Sequence, residues 1–184
     1  DAGAATLSPE EQDLRPIVHR VVELALPLAE RKGTQVRLAG FDAAATAQVD
    51  DRRVERILRN LLVNAIEHSM GNPVDVTLAD NETSVAVRVV DRGVGMSPAV
   101  ADHVFDRFWR ADPARARTTG GTGLGLAISL EDARLHGGTL EAWGEEGVLA
   151  SFLLCLPKRV GGPFTPPISV VPEVLSVSAT VGES

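Results

Sequence analysis

Apolar side chains recur along residues 51–68 at Val54, Ile57, Leu58, Leu61, Leu62, Ala65 and Ile66, the i, i+3, i+4, i+7, i+8 spacing that lines one side of a helix. Asp50 precedes the run as a cap, so the pattern predicts a helix that starts there. A similar pattern, Leu14, Ile17, Val18, Val21, Val22, Leu24, Ala25 and Leu28, predicts a helix from Asp13 to Lys32 ended by Gly33. Pro16 suits its first turn, and Pro27 is expected to kink it. A third helix is expected from about Leu124 to His136, stopped by Gly137 and Gly138.

The remaining apolar stretches alternate instead. TQVRLAG and TAQVD predict two short strands that pair like a hairpin. Residues 74–79 and 84–90 predict two strands joined by a turn at Asp80 and Asn81, and 138–143 with 148–156 form another pair around Gly144-Glu145-Glu146-Gly147. Helices and strand pairs mixed in this order predict an α/β (α+β) two-layer sandwich, a mixed, mostly antiparallel sheet packed on three helices. Residues 1–12 read as a linker and 13–157 as the folded unit. Residues 158–184, rich in Pro, Gly, Ser and Val without a helical period, read as a flexible tail.

Composition agrees with one globular unit: 184 residues, 44% hydrophobic and 23% charged. The net charge of −7 provides no basic field, so nucleic acid and anionic membrane surfaces are not expected as partners. The lone cysteine, Cys155 in SFLLCLP, cannot form an internal disulfide and reads as a core residue of a reducing compartment. No apolar run approaches the roughly 18 residues needed to span a bilayer, so a soluble, cytoplasmic domain is expected. The first residue is Asp1 rather than Met, which suggests a fragment of something longer.

Three segments carry candidate chemistry. On the 51–68 helix, Asn60, Asn64 and His68 fall at i, i+4, i+8 and form one polar row. An amide oxygen there can bind a hard cation such as Mg²⁺ without adding charge, although a single helical asparagine is more often merely solvated or capping. In VVDRGVGM, Asp91 ends a strand ahead of Gly93, Gly95 and Met96, where a carboxylate can accept from an exocyclic amine and glycines let a flat ligand approach. By itself a G-x-G is usually a turn, and Pro98 stands where a dinucleotide fingerprint has its third glycine. In GGTGLGLAISL, Gly120, Gly121, Thr122, Gly123, Leu124 and Gly125 open a helix whose free N–H groups make a phosphate cradle. This is not a Walker loop, because both lysines of the chain, Lys32 and Lys158, lie far from it. The intervening FDRFWRADPARARTTG is long, aromatic at one end and Arg-rich, and reads as an anchored lid.

Together these segments resemble sensor histidine kinases: DDRRVERILRNLLVNAIEHS their asparagine box, DRGVGM and GTGLGLAIS their glycine boxes, and FDRFWR their phenylalanine box. AISLEDARLHGG further resembles actinobacterial kinases of the MtrB type. The resemblance implies the Bergerat-type ATP-binding fold shared with gyrase, Hsp90 and MutL, with ATP and Mg²⁺ as cofactors. It implies Asn64 as the Mg²⁺ ligand, with Asn60 assisting through water or phosphate, and Asp91 on the adenine amine. Gly93, Gly95 and Met96 would shape the base pocket, and Gly121, Thr122, Gly123, Leu124 and Gly125 would contact phosphates. The family often has Lys or Arg three residues after the magnesium asparagine. Glu67 stands there instead, which shifts weight to His68 and to lid arginines, Arg110 or Arg117.

In the hydrolytic relatives a glutamate one turn before that asparagine activates water; here the place is taken by Asn60, a neutral amide that cannot accept the proton. Phosphoryl transfer needs positioning and charge neutralisation more than a base. The expected partners are therefore a separate dimerisation domain carrying an acceptor histidine, and a response regulator. None of His19, His68, His103 or His136 sits in a sequence like the family's acceptor motif. A serine kinase of the anti-sigma class, and a non-catalytic nucleotide-sensing or regulator-binding module, are the competing readings.

Overall fold

The computed structural model describes residues 6–110 and 124–173. Its chain order is β1 (Glu10–Asp13), α1 (Leu14–Lys32), β2 (Val36–Ala39), β3 (Thr46–Val49), α2 (Asp51–His68), β4 (Val74–Asp80), β5 (Ser84–Asp91), α3 (Pro98–His103), α4 (Gly125–Leu135), β6 (Thr139–Glu145) and β7 (Leu149–Pro157). Five strands form a sheet in the order β2-β4-β5-β7-β6, parallel between β2 and β4 and antiparallel elsewhere. This is the expected mixed, mostly antiparallel sheet.

Capping matches the residues that predict it. The Asp13 and Asp50 carboxylates accept from the Arg15 and Arg53 amides at the starts of α1 and α2, and Gly33 ends α1 in a left-handed conformation. α1 continues through Pro27 as one element. The apolar stripe of α2 is wholly buried, against inward-facing Val76, Leu78, Val87, Val89, Phe152 and Leu154 of the sheet.

The expected hairpin of β2 and β3 does not form. β2 lies parallel to β4, with Val36 opposite Val74, whereas β3 pairs antiparallel with β1, Val49 opposite Glu10, in a separate two-stranded sheet. The divergence follows from burial: Ala47 and Val49 join the core, while Leu38 of β2 sits exposed at a sheet edge. β1 occupies the last part of the expected linker; its sequence EEQD carries no strand signature, so its pairing is fixed by its partner.

Residues 158–173 also differ from the expected loose tail. They run as a strap over the outer face of the sheet, where Phe164, Ile168 and Val170 pack on Ala86, Leu153 and Cys155. Hydrogen bonds hold the strap along its length: Ser84 Oγ to Thr165 O at 2.7 Å, Arg88 Nη1 to Ser169 O at 2.9 Å and Ser151 Oγ to Val170 O at 2.6 Å. A run of closely spaced prolines disfavours helix but not this kind of extended docking. Covered on both faces, β7 is buried at every position, the continuous apolar run typical of two-sided burial.

Candidate functional site

The polar row of α2 runs from the start of α4 at one end to the first glycine segment at the other. At its N-terminal end, Asn60 Nδ2 donates to Gly125 O at 2.9 Å and to Ser129 Oγ at 3.0 Å, both on α4. At its C-terminal end, the carbonyl of His68 accepts from the Val94 amide at 3.2 Å. About 12 Å of helix separates these ends, at 1.5 Å per residue. Midway, the Asn64 side chain has no hydrogen-bond partner among the described residues, while its carbonyl accepts from His68 Nδ1 at 2.8 Å. His68 itself is exposed.

Asp91 closes the far side. It is 1% exposed, and its Oδ1 accepts from the Gly93 amide at 3.1 Å. Burial pushes its carboxyl up to about 6, partly offset by that amide and by the proximity of His68 and Arg92. Its second oxygen has no hydrogen-bond partner among the described residues and can accept one more hydrogen bond.

The glycines of the first segment serve the protein before they serve a ligand. A Cβ on Gly93 would stand 1.6 Å from His68 O, and one on Gly95, at φ +71°, 2.2 Å from Glu145 O. The Gly147 amide donates to Val94 O at 2.9 Å, which ties this segment to the β6–β7 turn. Met96 is buried beneath it, so close to Gly144 that a Cβ there would lie 2.7 Å away. Gly93 thus lets the segment after Asp91 pass directly beside the end of α2, and Gly95 lets it close on the β6–β7 turn.

The fold has known counterparts. Residues 49–160 match the family described as histidine kinase-, DNA gyrase B- and HSP90-like ATPase. The chain belongs to this family. The sensor histidine kinase MtrB of Mycolicibacterium paratuberculosis is 54% identical over 157 residues, which cover 85% of this chain and 28% of that protein. The chain thus spans little more than a quarter of that relative's length. Among solved structures, full-length ShkA in complex with AMPPNP superposes with a TM-score of 0.76 at 28% identity, covering 91% of this chain and 34% of ShkA. The catalytic domain of the histidine kinase ThkA superposes at 0.73 and 24% identity, covering 83% of this chain and 97% of that one. The five-stranded, helix-backed sheet is therefore the Bergerat fold.

Within this member of the family, the second glycine segment and lid are described in part. Gly120, Gly121, Thr122, Gly123 and Arg117 lie outside the described residues. Leu124 precedes α4 without a side-chain cap, and Gly125 begins the helix beside Asn60. At the lid's near end, Phe105 meets Phe152 edge-on at 6.1 Å, Trp109 stacks on His103 at 5.9 Å, and Arg107 pairs with Glu131 of α4. Arg110 makes no hydrogen bond or ion pair among the described residues, and Phe108 is 71% exposed at φ +62°.

A cleft of about 280 Å³ lies elsewhere, on the outer sheet face between Arg37, Asp75, Arg88 and Arg92. It includes none of the candidate site residues named from the sequence. Asp75 bonds both Arg37 and Arg92.

Sequence reasoning missed the polar seam that docks α4 on α2. Asp132, 1% exposed, accepts from Arg53 Nη1 at 2.8 Å and from Arg56 Nε at 2.8 Å, and Ser129, fully buried, completes the seam with Asn60. His136 extends it: Nδ1–H donates to Asp132 O at 2.7 Å and Nε2 accepts from the Asp50 amide at 3.1 Å. The signal was present as Gly125, Ser129 and Asp132 at i, i+4, i+7, a polar face where a buried helix should be apolar.

Proposed function

We propose that the chain binds Mg-ATP between α2, Asp91 and the start of α4, and presents its γ-phosphate to a histidine on a separate dimerisation/acceptor domain in two-component signalling. The observation that carries this reading is the state of Asn60. Its Nδ2 donates to Gly125 O and Ser129 Oγ of α4, which a carboxylate in the same place could not do. The position is built for an amide, and an amide cannot act as a base toward water. That distinguishes the site from a hydrolase and from the acidic residue that the anti-sigma serine kinase reading requires.

The donor set fits the ligand. The Asp91 oxygen without a partner among the described residues accepts from the adenine amine, and the Asn64 amide, with Asn60 one turn before it on α2, provides neutral oxygens for Mg²⁺ and its water shell. Mg²⁺, when bound, neutralises phosphate charge that two distant lysines cannot. Gly121, Thr122, Gly123, Leu124 and Gly125 offer backbone amides to the phosphates, and His68, Arg110 or Arg117 offer side chains. By family likeness the parent protein is a membrane-anchored sensor kinase with this domain on the cytoplasmic side, and a response regulator takes the phosphoryl group onward. No helix among the described residues is long and apolar enough to cross a membrane.

The test is titration of a fluorescent ATP analogue with and without Mg²⁺, repeated on Asn64→Ala and Asp91→Asn, followed by mixing with an isolated acceptor domain and labelled ATP. Asn64→Ala should lose the Mg²⁺ dependence and Asp91→Asn most of the binding. Undiminished binding in both variants, or label on this chain alone, would refute the reading.

A further inference from the structure

Asn60, Ser129 and the carbonyl of Gly125 form a closed triangle. Asn60 Nδ2 lies 2.9 Å from Gly125 O and 3.0 Å from Ser129 Oγ, and Ser129 Oγ lies 2.8 Å from Gly125 O. A carbonyl can only accept, so it receives a proton from the amide and another from the hydroxyl. The hydroxyl proton being used in that way, Ser129 Oγ must accept from the amide. The two acceptors stand too close together for separate N–H groups of one amide, so Nδ2 shares an N–H between them, and its role as donor in the triangle is fixed. Turning the amide about its bond to Cβ would set Oδ1 against the Gly125 carbonyl, two acceptors face to face in a half-buried place.

A buried serine that bonds the carbonyl four residues back is common in helices and by itself means little. Here the same oxygen has a second partner across the helix interface. Tight packing does not impose the orientation: a Cβ on Gly125 would still stand 3.4 Å from Asn60 Cγ, an ordinary contact. The hydrogen bonds do.

We infer that Ser129 is a positioning residue that turns the Asn60 amide so that Oδ1, rather than Nδ2, faces the nucleotide site, where it accepts from the water shell of the divalent cation. The inference rests on the Mg-ATP reading above and assigns the residue that keeps Asn60 in its acceptor orientation. Without the hydroxyl, the amide keeps one anchor in place of two and samples the flipped state, which presents N–H groups to water molecules that need an acceptor.

The test compares Ser129→Ala and Ser129→Thr in the whole 184-residue chain. Affinity for an ATP analogue is measured without Mg²⁺ and across an Mg²⁺ titration, and the Asn60 side-chain N–H₂ resonances are followed in ¹⁵N spectra. Ser129→Ala is expected to raise the half-saturating Mg²⁺ concentration about five- to tenfold, the scale of one lost hydrogen bond, with Mg²⁺-free affinity changed less than about twofold. Its Asn60 resonances should shift, and Ser129→Thr, which keeps the hydroxyl, should restore both. Equal loss with and without Mg²⁺, or an unchanged Mg²⁺ requirement, overturns the inference. Should the unsubstituted chain bind no nucleotide, the Mg-ATP reading fails, and with it the site toward which Ser129 is said to turn the amide.

Discussion

Asp91→Asn should make the protein's stability less dependent on pH in one defined window. The Asp91 carboxyl is pushed from 3.8 up to about 6, chiefly by burial. Between these values the folded protein holds a proton that the unfolded chain has released. Stability from this group is therefore complete below about pH 4 and is lost as pH rises through about 6. Two units at about 1.4 kcal/mol each give a loss of about 3 kcal/mol by pH 7. The asparagine variant keeps an oxygen for the Gly93 amide but titrates nothing. Its unpaired NH₂ costs about 1–3 kcal/mol at every pH, an offset that leaves the slope untouched. Urea unfolding at pH 4, 5, 6 and 7 should show the variant gaining about 2 kcal/mol on the unsubstituted protein across the series, since pH 4 already lies just above the unfolded value. Other titrating groups cancel in the difference. A difference that stays constant from pH 4 to pH 7 would refute the placement of a charged carboxylate in this buried position. Losing nucleotide while relieving this cost is what a functional strain at Asp91 predicts.

Asp132→Ala should cost about 2–4 kcal/mol by urea unfolding, below the range for a fully buried pair because the Arg56 side chain is 41% exposed and can rehydrate. Arg20→Ala, which breaks the exposed pair with Glu55, should stay within about 0.5 kcal/mol and serves as the comparison. A chain ending at Pro157 should expose the Cys155 thiol, otherwise 0% exposed and pushed up chiefly by burial, to a thiol reagent within minutes, whereas the full chain reacts only on unfolding. A thiol in the shortened chain that stays protected would show that the strap does not cover it.

Most of the fold was legible because its signals are local. The stripe of α2 and its Asp50 cap lie within one helix, and the pairs β4–β5 and β6–β7 are joined by short turns. β1, the pairing of β2 and the strap were not, because what fixes them lies far along the chain. Glu10 finds Val49, Val36 finds Val74, and Thr165 finds Ser84. The two ends of the candidate site divided in the same way. Asn60, Asn64 and His68 fell into register from spacing alone, whereas the seam of Arg53, Arg56, Ser129 and Asp132 needed the crossing of two helices. Gly93 and Gly95 stood in between. Their pattern announces close approach, but it cannot tell a ligand from the His68 and Glu145 carbonyls that approach here.

The strap changes what mutation can do to the sheet. In a sandwich of two layers, the outward positions of a central strand answer to water and drift among polar residues. Here Ala86, Leu153 and Cys155 answer to Phe164, Ile168 and Val170, some ten to eighty residues away. Neither set can turn polar alone without leaving the other wet, so the two segments should change together among relatives or not at all. A relative without the strap should carry polar residues at the positions of Leu153 and Cys155, and the domain's natural end should be sought after the strap and not after the last strand.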